Sequence, residues 1–72
     1  MTIKEALADA RKRLANGDEP SLVAYMLRDW PETEAAGLFS LAWVLATGYP
    51  HRNDVLFLIE NLEAYIDKNN AQ

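Results

Sequence analysis

Apolar residues recur every three or four positions in four stretches of the chain, which is the spacing of amphipathic helices. The stretches predict helices over about 3–16, 19–30, 32–47 and 54–68. Turn signals separate them, namely Asn16-Gly17, Pro31 and Gly48-Tyr49-Pro50. The predicted fold is therefore all-α, a compact bundle of four short helices arranged as two helical hairpins. It forms a single domain over 1–72, with residues 69–72 as a frayed tail.

Capping signals support the ends of these helices. The run Thr2-Ile3-Lys4-Glu5 has the form of a capping box at the start of the first helix. The run Asp29-Trp30-Pro31-Glu32 predicts a second capping box at a tight corner between the second and third helices. Gly17 and Gly48 follow the last periodic residues of their helices, so both are expected in the left-handed conformation that ends a helix.

Three of the four helices show one apolar face each, which predicts the core. The expected core residues are Ile3, Leu7, Ala10 and Leu14 of the first helix, Leu22, Val23, Met26, Leu27 and Trp30 of the second, and Val55, Leu58, Ile59, Leu62, Tyr65 and Ile66 of the fourth.

The third helix differs because it is apolar around most of its circumference. No residue from Ala35 to His51 carries a formal charge, counting histidine as neutral. A helix of this kind is expected to be buried on all sides. Two interpretations remain open. Either the other three helices wrap it completely, or they leave part of it to a partner or a second copy of the chain. In the second case, the strip of Gly37, Ser40, Val44 and Thr47 would let another helix approach closely.

Further apolar residues fall outside the expected core faces. Leu56 and Phe57 point away from the core face of the fourth helix, and Tyr25 lies off that of the second. Either they contribute to an exposed surface for a protein partner, or Leu56 and Phe57 pack on the loop at Tyr49-Pro50. The candidate partner-binding residues are Tyr25, Gly37, Ser40, Val44, Tyr49, Leu56 and Phe57.

Composition and charge narrow the classes of partner. The 72 residues include no cysteine, so neither a disulfide nor a thiolate metal site is expected. A net charge of −4 argues against nucleic acid as the main partner, because phosphate binding needs an excess of lysine and arginine. No stretch is long and apolar enough to span a membrane. The first residues do not resemble a signal peptide, and together with the lack of cysteine this favours a cytoplasmic location.

Residues that could carry chemistry are few. His51 is the only histidine, and Asp54 is close enough in sequence to orient it. Neither Ser21 nor Ser40 lies on a turn suited to a nucleophile. Glu60, Glu63 and Asp67 are spaced to share a cation, but this is also the ordinary solvated face of an amphipathic helix. We therefore expect no catalytic site, no metal site and no cofactor, and we do not expect an enzyme.

Three function classes follow in order of preference. The first is a small non-enzymatic protein–protein interaction module, with homodimerisation as one form of it. The alternative is an acidic inhibitor, immunity protein or anti-host factor that blocks a basic site of a nucleic-acid-binding protein or nuclease. Its acids would be those near the second helix or on the fourth. The third is a small DNA-binding regulator that uses Arg11, Lys12 and Arg13. The candidate acids near the second helix are Asp18, Glu19, Asp29, Glu32 and Glu34.

Overall fold

The structure of the chain is a computed structural model that describes residues 1–70, and side chains for residues 1–69. Its regular elements are the helices α1 (Ile3–Ala15), α2 (Pro20–Arg28), α3 (Pro31–Ala35), α4 (Phe39–Thr47) and α5 (Arg52–Asn70). Residues 1–70 contain no strand, so the all-α prediction is confirmed. Four of the five helices have seven or more residues, in keeping with the predicted bundle of four. The five-residue α3 is additional, because the expected third helix is divided into α3 and α4.

The break in the expected third helix lies at Gly37. This residue has a φ of +73°, in the left-handed region that glycine adopts without steric cost. The Gly37 N–H donates to the Glu34 carbonyl at 3.0 Å, and the Leu38 N–H donates to the Thr33 carbonyl at 2.9 Å. These bonds satisfy the last carbonyls of α3 and turn the chain before α4 begins. The continuous helix over 32–47 is therefore a wrong prediction, and glycine's conformational freedom is the physical reason.

The other caps agree with the sequence in part. At the start of α1, the Glu5 N–H donates to the Thr2 hydroxyl at 3.2 Å and the Thr2 N–H donates to Glu5 Oε1 at 2.9 Å, which confirms the capping box. Hydrogen bonding of the Glu5 carboxylate with Thr2, chiefly from the backbone N–H and then from the hydroxyl, lowers the pKa of Glu5. Gly17 has a φ of +88°, as expected of a left-handed cap.

Two predicted caps are wrong. Gly48 has a φ of −108° and a ψ of −154°, so it is extended rather than left-handed, and α4 ends there without a glycine turn. The second capping box does not form. Trp30 precedes α3 with no side-chain cap bond, and Pro31 opens the helix. The fixed φ of proline suits the first helical position, so the N-cap falls on Trp30 rather than on Asp29, and an indole has no oxygen to accept the capping bond.

One core joins α1, α2, α4 and α5. The core-facing residues of α5, namely Val55, Leu58, Ile59 and Leu62, are fully buried, and α1 lies against this core through a face of leucine, isoleucine and alanine. The buried apolar residues are Ile3, Ala6, Leu7, Ala10, Leu14, Val23, Ala24, Leu27, Ala42, Val55, Leu58, Ile59, Leu62 and Ile66. Trp30 and Tyr65, which were expected in the core, pack against it while only partly buried.

The core face of α2 differs from the predicted one. Val23, Ala24 and Leu27 are fully buried, whereas Leu22 is 61% exposed and Met26 is 45% exposed. Placing Leu22 and Met26 in the core was therefore wrong. Because α2 packs most extensively against α4, its innermost position is the small Ala24, and the larger Leu22 and Met26 turn outwards.

A buried hydrogen bond joins the end of α2 to α3. Thr33 is fully buried, and its hydroxyl donates to the Leu27 carbonyl at 2.7 Å. A buried hydroxyl needs such a partner, since an unsatisfied one costs free energy. This bond holds α3 against the end of α2 and so sets the direction in which the chain returns along α4.

The longest helix, α5, has 19 residues and extends about 28 Å at the usual helical rise. It is tied to α1 by a two-pronged ion pair, in which Arg11 donates to the two Glu63 carboxylate oxygens at 3.0 and 2.7 Å. The hydrogen bond from Arg11 lowers the pKa of Glu63 and, in turn, Glu63 raises that of Arg11. The helix continues to Asn70, two residues beyond its predicted end. Of the expected frayed tail, residues 71 and 72 lie outside the described residues.

Candidate functional site

The most prominent surface feature is an apolar area on α2 and α4. Among residues 1–69, nine large apolar side chains are exposed, and six of them lie on these two helices, which pack against each other. We call this area the α2–α4 face and define it as Leu22, Tyr25, Met26, Phe39, Trp43 and Val44. Their exposed fractions range from 42% for Phe39 to 62% for Val44.

Local sequence explains why these side chains share a side of the molecule. On α2, Leu22, Tyr25 and Met26 are three and four residues apart, so they line one side of the helix, away from the buried Ala24 and Leu27. On α4, the only fully buried residue is Ala42. The rings of Phe39 and Trp43, four residues apart, therefore point to the outside together.

Arg28 joins the two halves of the face. Its guanidinium carbon lies 4.5 Å from the centre of the Tyr25 ring and 4.7 Å from that of the Trp43 ring. Contacts of this kind are attractive because the face of an aromatic ring is negative. The side chain of Arg28 is only 15% exposed, and its Nε donates to Asp29 at 3.2 Å. Arg28 thus links Tyr25 of α2 to Trp43 of α4, while Asp29 compensates its charge.

The α2–α4 face is uneven rather than flat. A hollow of about 350 Å³ lies on the α2 side against Leu22, Tyr25 and Met26, and Arg13, Asp18 and Glu19 form its polar border. A second hollow, of about 320 Å³, lies on α4 between Phe39, Ser40, Trp43 and Val44. No residue of α4 carries a formal charge. The surface therefore combines exposed rings with depressions. Its charge is carried by the Arg28–Asp29 pair and by the polar border of the α2 hollow.

Three of the seven candidate partner-binding residues belong to this region. Tyr25 and Val44 are part of the face, and the exposed Ser40 lines its second hollow. Gly37 is exposed at the turn before α4. Of the two interpretations of the apolar segment, the structure therefore agrees with the one in which the remaining helices leave part of it uncovered.

The other three candidates lie elsewhere in the chain. Tyr49 is fully exposed in the loop after α4, and Phe57 is 57% exposed on α5. Leu56 is partly buried and packs against the core. The expectation that Leu56 lies on an exposed surface is therefore wrong. Its side chain fills the edge of the core instead.

Several residues of the face were missed at the level of sequence. The apolar spacing predicts Leu22 and Met26 in the core, and it gives no reason to assign Phe39, Trp43 or Arg28 to a binding surface. One signal was available, because Tyr25 and Arg28 are three residues apart on one helix, which allows a ring and a guanidinium to meet. The contribution of Trp43 could not be read from spacing, since it depends on how α4 lies against α2.

The side chains that could carry chemistry do not converge. His51 is exposed, and Asp54 accepts a hydrogen bond from its backbone N–H at 2.8 Å rather than from its imidazole ring. This hydrogen bond lies at the N-terminal end of α5. Within the described residues, no group of three or more histidine, cysteine, aspartate or glutamate side chains is placed to hold a metal ion. None of the helices in that same range is both long and apolar enough to cross a membrane.

Ion pairs involve several of the charged residues on which the other two function classes depend. In the basic run, Arg11 pairs with Glu63 at 2.7 Å, and Arg13 pairs with Asp9, four residues earlier on the same helix, at 2.8 Å. Arg13 also lies 3.6 Å from Asp18. The Arg13 pKa is raised chiefly by the hydrogen bond to Asp9. Among the acids around α2, Asp18 and Asp29 therefore each have a basic neighbour.

Comparison with protein-family models, with characterised proteins and with solved structures finds no match for this chain.

Proposed function

We propose that the chain is a non-enzymatic protein–protein interaction module that binds its partner through the α2–α4 face. The observation that carries the proposal is the exposure of six large apolar side chains on two adjacent helices. Single exposed apolar residues are ordinary, whereas a contiguous group of them marks a surface that other proteins cover. Tyrosine, tryptophan, phenylalanine and methionine are also the residue types that interfaces favour.

The energetics support the same conclusion. Burying a large apolar side chain contributes roughly 1.5–3 kcal/mol relative to leaving it in water. The six side chains are each about half exposed, so covering them would contribute on the order of 5–9 kcal/mol before the costs of association. Arg28 adds rigidity, because it holds the rings of Tyr25 and Trp43 in place and so reduces the entropy lost on binding.

The proposal is tested by comparing two substitutions that add the same charge. Val44→Asp places a carboxylate on the α2–α4 face, and Ala64→Asp places one on the exposed side of α5. Tagged wild-type and variant chains are used to capture proteins from extracts of the cells that naturally produce this protein. Each captured protein is then purified, and its binding to each of the three chains is measured in low and in high salt. We expect a partner that the wild type and Ala64→Asp retain in high salt and that Val44→Asp loses.

Two results would contradict the proposal. Equal binding by all three chains would show that the α2–α4 face is not the contact surface. A partner that every chain loses in high salt would instead favour the charge-driven inhibitor, because salt screens exposed charges but does not weaken apolar contact.

A further inference from the structure

The α2–α4 face has the size and character of one half of a small symmetric interface. We infer that its partner is a second copy of this chain, and that the chain forms a two-fold homodimer through this face. The inference rests on the proposed function and names the partner of the same surface. In a two-fold dimer each copy offers the same area, so the face must match itself in extent, shape and charge.

The extent of the face suits a dimer. A whole aromatic side chain buries roughly 150–250 Å², so three half-exposed rings offer on the order of 300 Å². At 25 cal/mol per Å², the burial energy of a large aliphatic side chain corresponds to an area of roughly 60–120 Å². The half-exposed side chains of Leu22, Met26 and Val44 therefore raise the apolar area to roughly 450 Å² per copy. A standard interface buries about 800 Å² per partner, of which about 65% is apolar in homodimers. The face therefore supplies most of the apolar area that a stable dimer needs.

The shape of the face permits contact with its own copy. Its rings protrude beside two hollows of about 350 and 320 Å³, one on each helix. Protruding rings and depressions on one surface are the features that self-complementary packing requires.

The distribution of charge removes the main obstacle to self-association. Each copy carries a net charge of −4, so two copies repel each other at long range. At the face itself, α4 has no formal charge, and the charge of Arg28 is compensated by Asp29. Asp18 and Glu19 lie at the border of the α2 hollow, where solvent and salt screen them. Dimerisation is therefore expected to strengthen as salt concentration rises.

Sedimentation equilibrium over a range of protein concentrations tests the inference. We expect the wild type and Ala64→Asp to reach about twice the monomer mass of 8.1 kDa at high concentration. Val44→Asp and, on the other helix, Leu22→Asp are expected to weaken dimerisation at least ten-fold. Both residues are more than 60% exposed in the monomer, so both variants are expected to keep the helical circular-dichroism signal of the wild type.

The outcomes separate this inference from the proposed function. A wild type that stays monomeric at the highest concentration would overturn the homodimer and leave the proposal of a foreign partner standing. A dimer that both aspartate variants retain would overturn the homodimer through this face, and also the assignment of the face as the contact surface.

Spin labels provide a measurement that does not depend on disrupting the face. The chain contains no cysteine, so Thr47→Cys and Ala64→Cys can each be labelled at a single site. Thr47 is exposed at the end of α4, and Ala64 is exposed on α5. A two-fold dimer through the α2–α4 face predicts dipolar broadening between copies at position 47 and a weaker effect at position 64. Broadening that is equal at the two positions, or stronger at 64, would overturn the inference.

Discussion

Replacing Gly37 by alanine tests how the chain is turned between α3 and α4. Gly37 has a φ of +73°, and a Cβ atom added there would meet no other atom within 4 Å. Steric overlap with the rest of the protein therefore contributes nothing. The cost is the backbone strain of a left-handed alanine, about 1–2 kcal/mol. For a domain of this size, each kcal/mol lowers the melting temperature by roughly 4–8 °C, so Gly37→Ala is expected to lower it by roughly 4–16 °C.

The assay is thermal unfolding followed by circular dichroism, with Gly37→Asn as the matched variant. Asparagine also has a side chain, but it tolerates the left-handed region better than alanine does. We therefore expect Gly37→Asn to be less destabilised than Gly37→Ala. An alanine variant with an unchanged or higher melting temperature and a stronger helical signal would refute the reasoning. It would show that α3 and α4 can fuse into one helix at no cost to the packing.

Three further substitutions test the packing and the ion pair. Thr33→Val keeps the shape of the buried side chain and removes its hydrogen bond to Leu27, so it should destabilise the domain by about 1 kcal/mol in urea unfolding, and no change would show that the bond is unimportant. Leu58→Ala removes a fully buried side chain of α5 and should lower the free energy of unfolding by about 2–5 kcal/mol in urea unfolding; a cost below about 1 kcal/mol would contradict its central place in the core. Arg11 lowers the pKa of Glu63 in the folded state below the value of about 4.3 that the group has in the unfolded chain. The ion pair therefore stabilises the folded state at pH values above about 4.3, and this contribution is lost as the pH falls through the pKa of Glu63 in the folded state. Glu63→Gln should remove this part of the acid dependence, by less than about 1 kcal/mol because the pair is exposed, and identical pH profiles of the two chains would contradict the assignment.

The second helix shows where reasoning from spacing reaches its limit. Leu22, Tyr25 and Met26 lie on one side of α2, and Val23, Ala24 and Leu27 lie on another, so both sides are apolar. Hydrophobicity alone favours the larger leucine and methionine for the core, yet the structure buries the side with Ala24. Which side of α2 is buried depends on how closely α4 approaches it, and the spacing of apolar residues within α2 gives no information about that distance.

The length of the third predicted helix also could not be determined from the spacing of apolar residues. Its apolar residues continue in helical period across Gly37, and a single glycine inside a helix costs only about 1 kcal/mol. Spacing therefore could not separate a tolerated glycine from a terminating one. The left-handed turn at Gly37 occurs together with a tertiary contact of α3, in which the buried Thr33 hydroxyl donates to the Leu27 carbonyl.

The amino-acid sequence by itself determined the helical class, the capping box at Thr2, the left-handed turn at Gly17 and the core faces of α1 and α5. These features depend on residues within a few positions of one another, whose spacing and backbone preferences act locally. The tertiary structure alone decided which side of α2 is buried, where α3 ends, and that Tyr25 and Trp43 enclose Arg28 on one exposed face. Those features depend on distances between helices far apart in the chain, and such distances follow from the packing of the whole core.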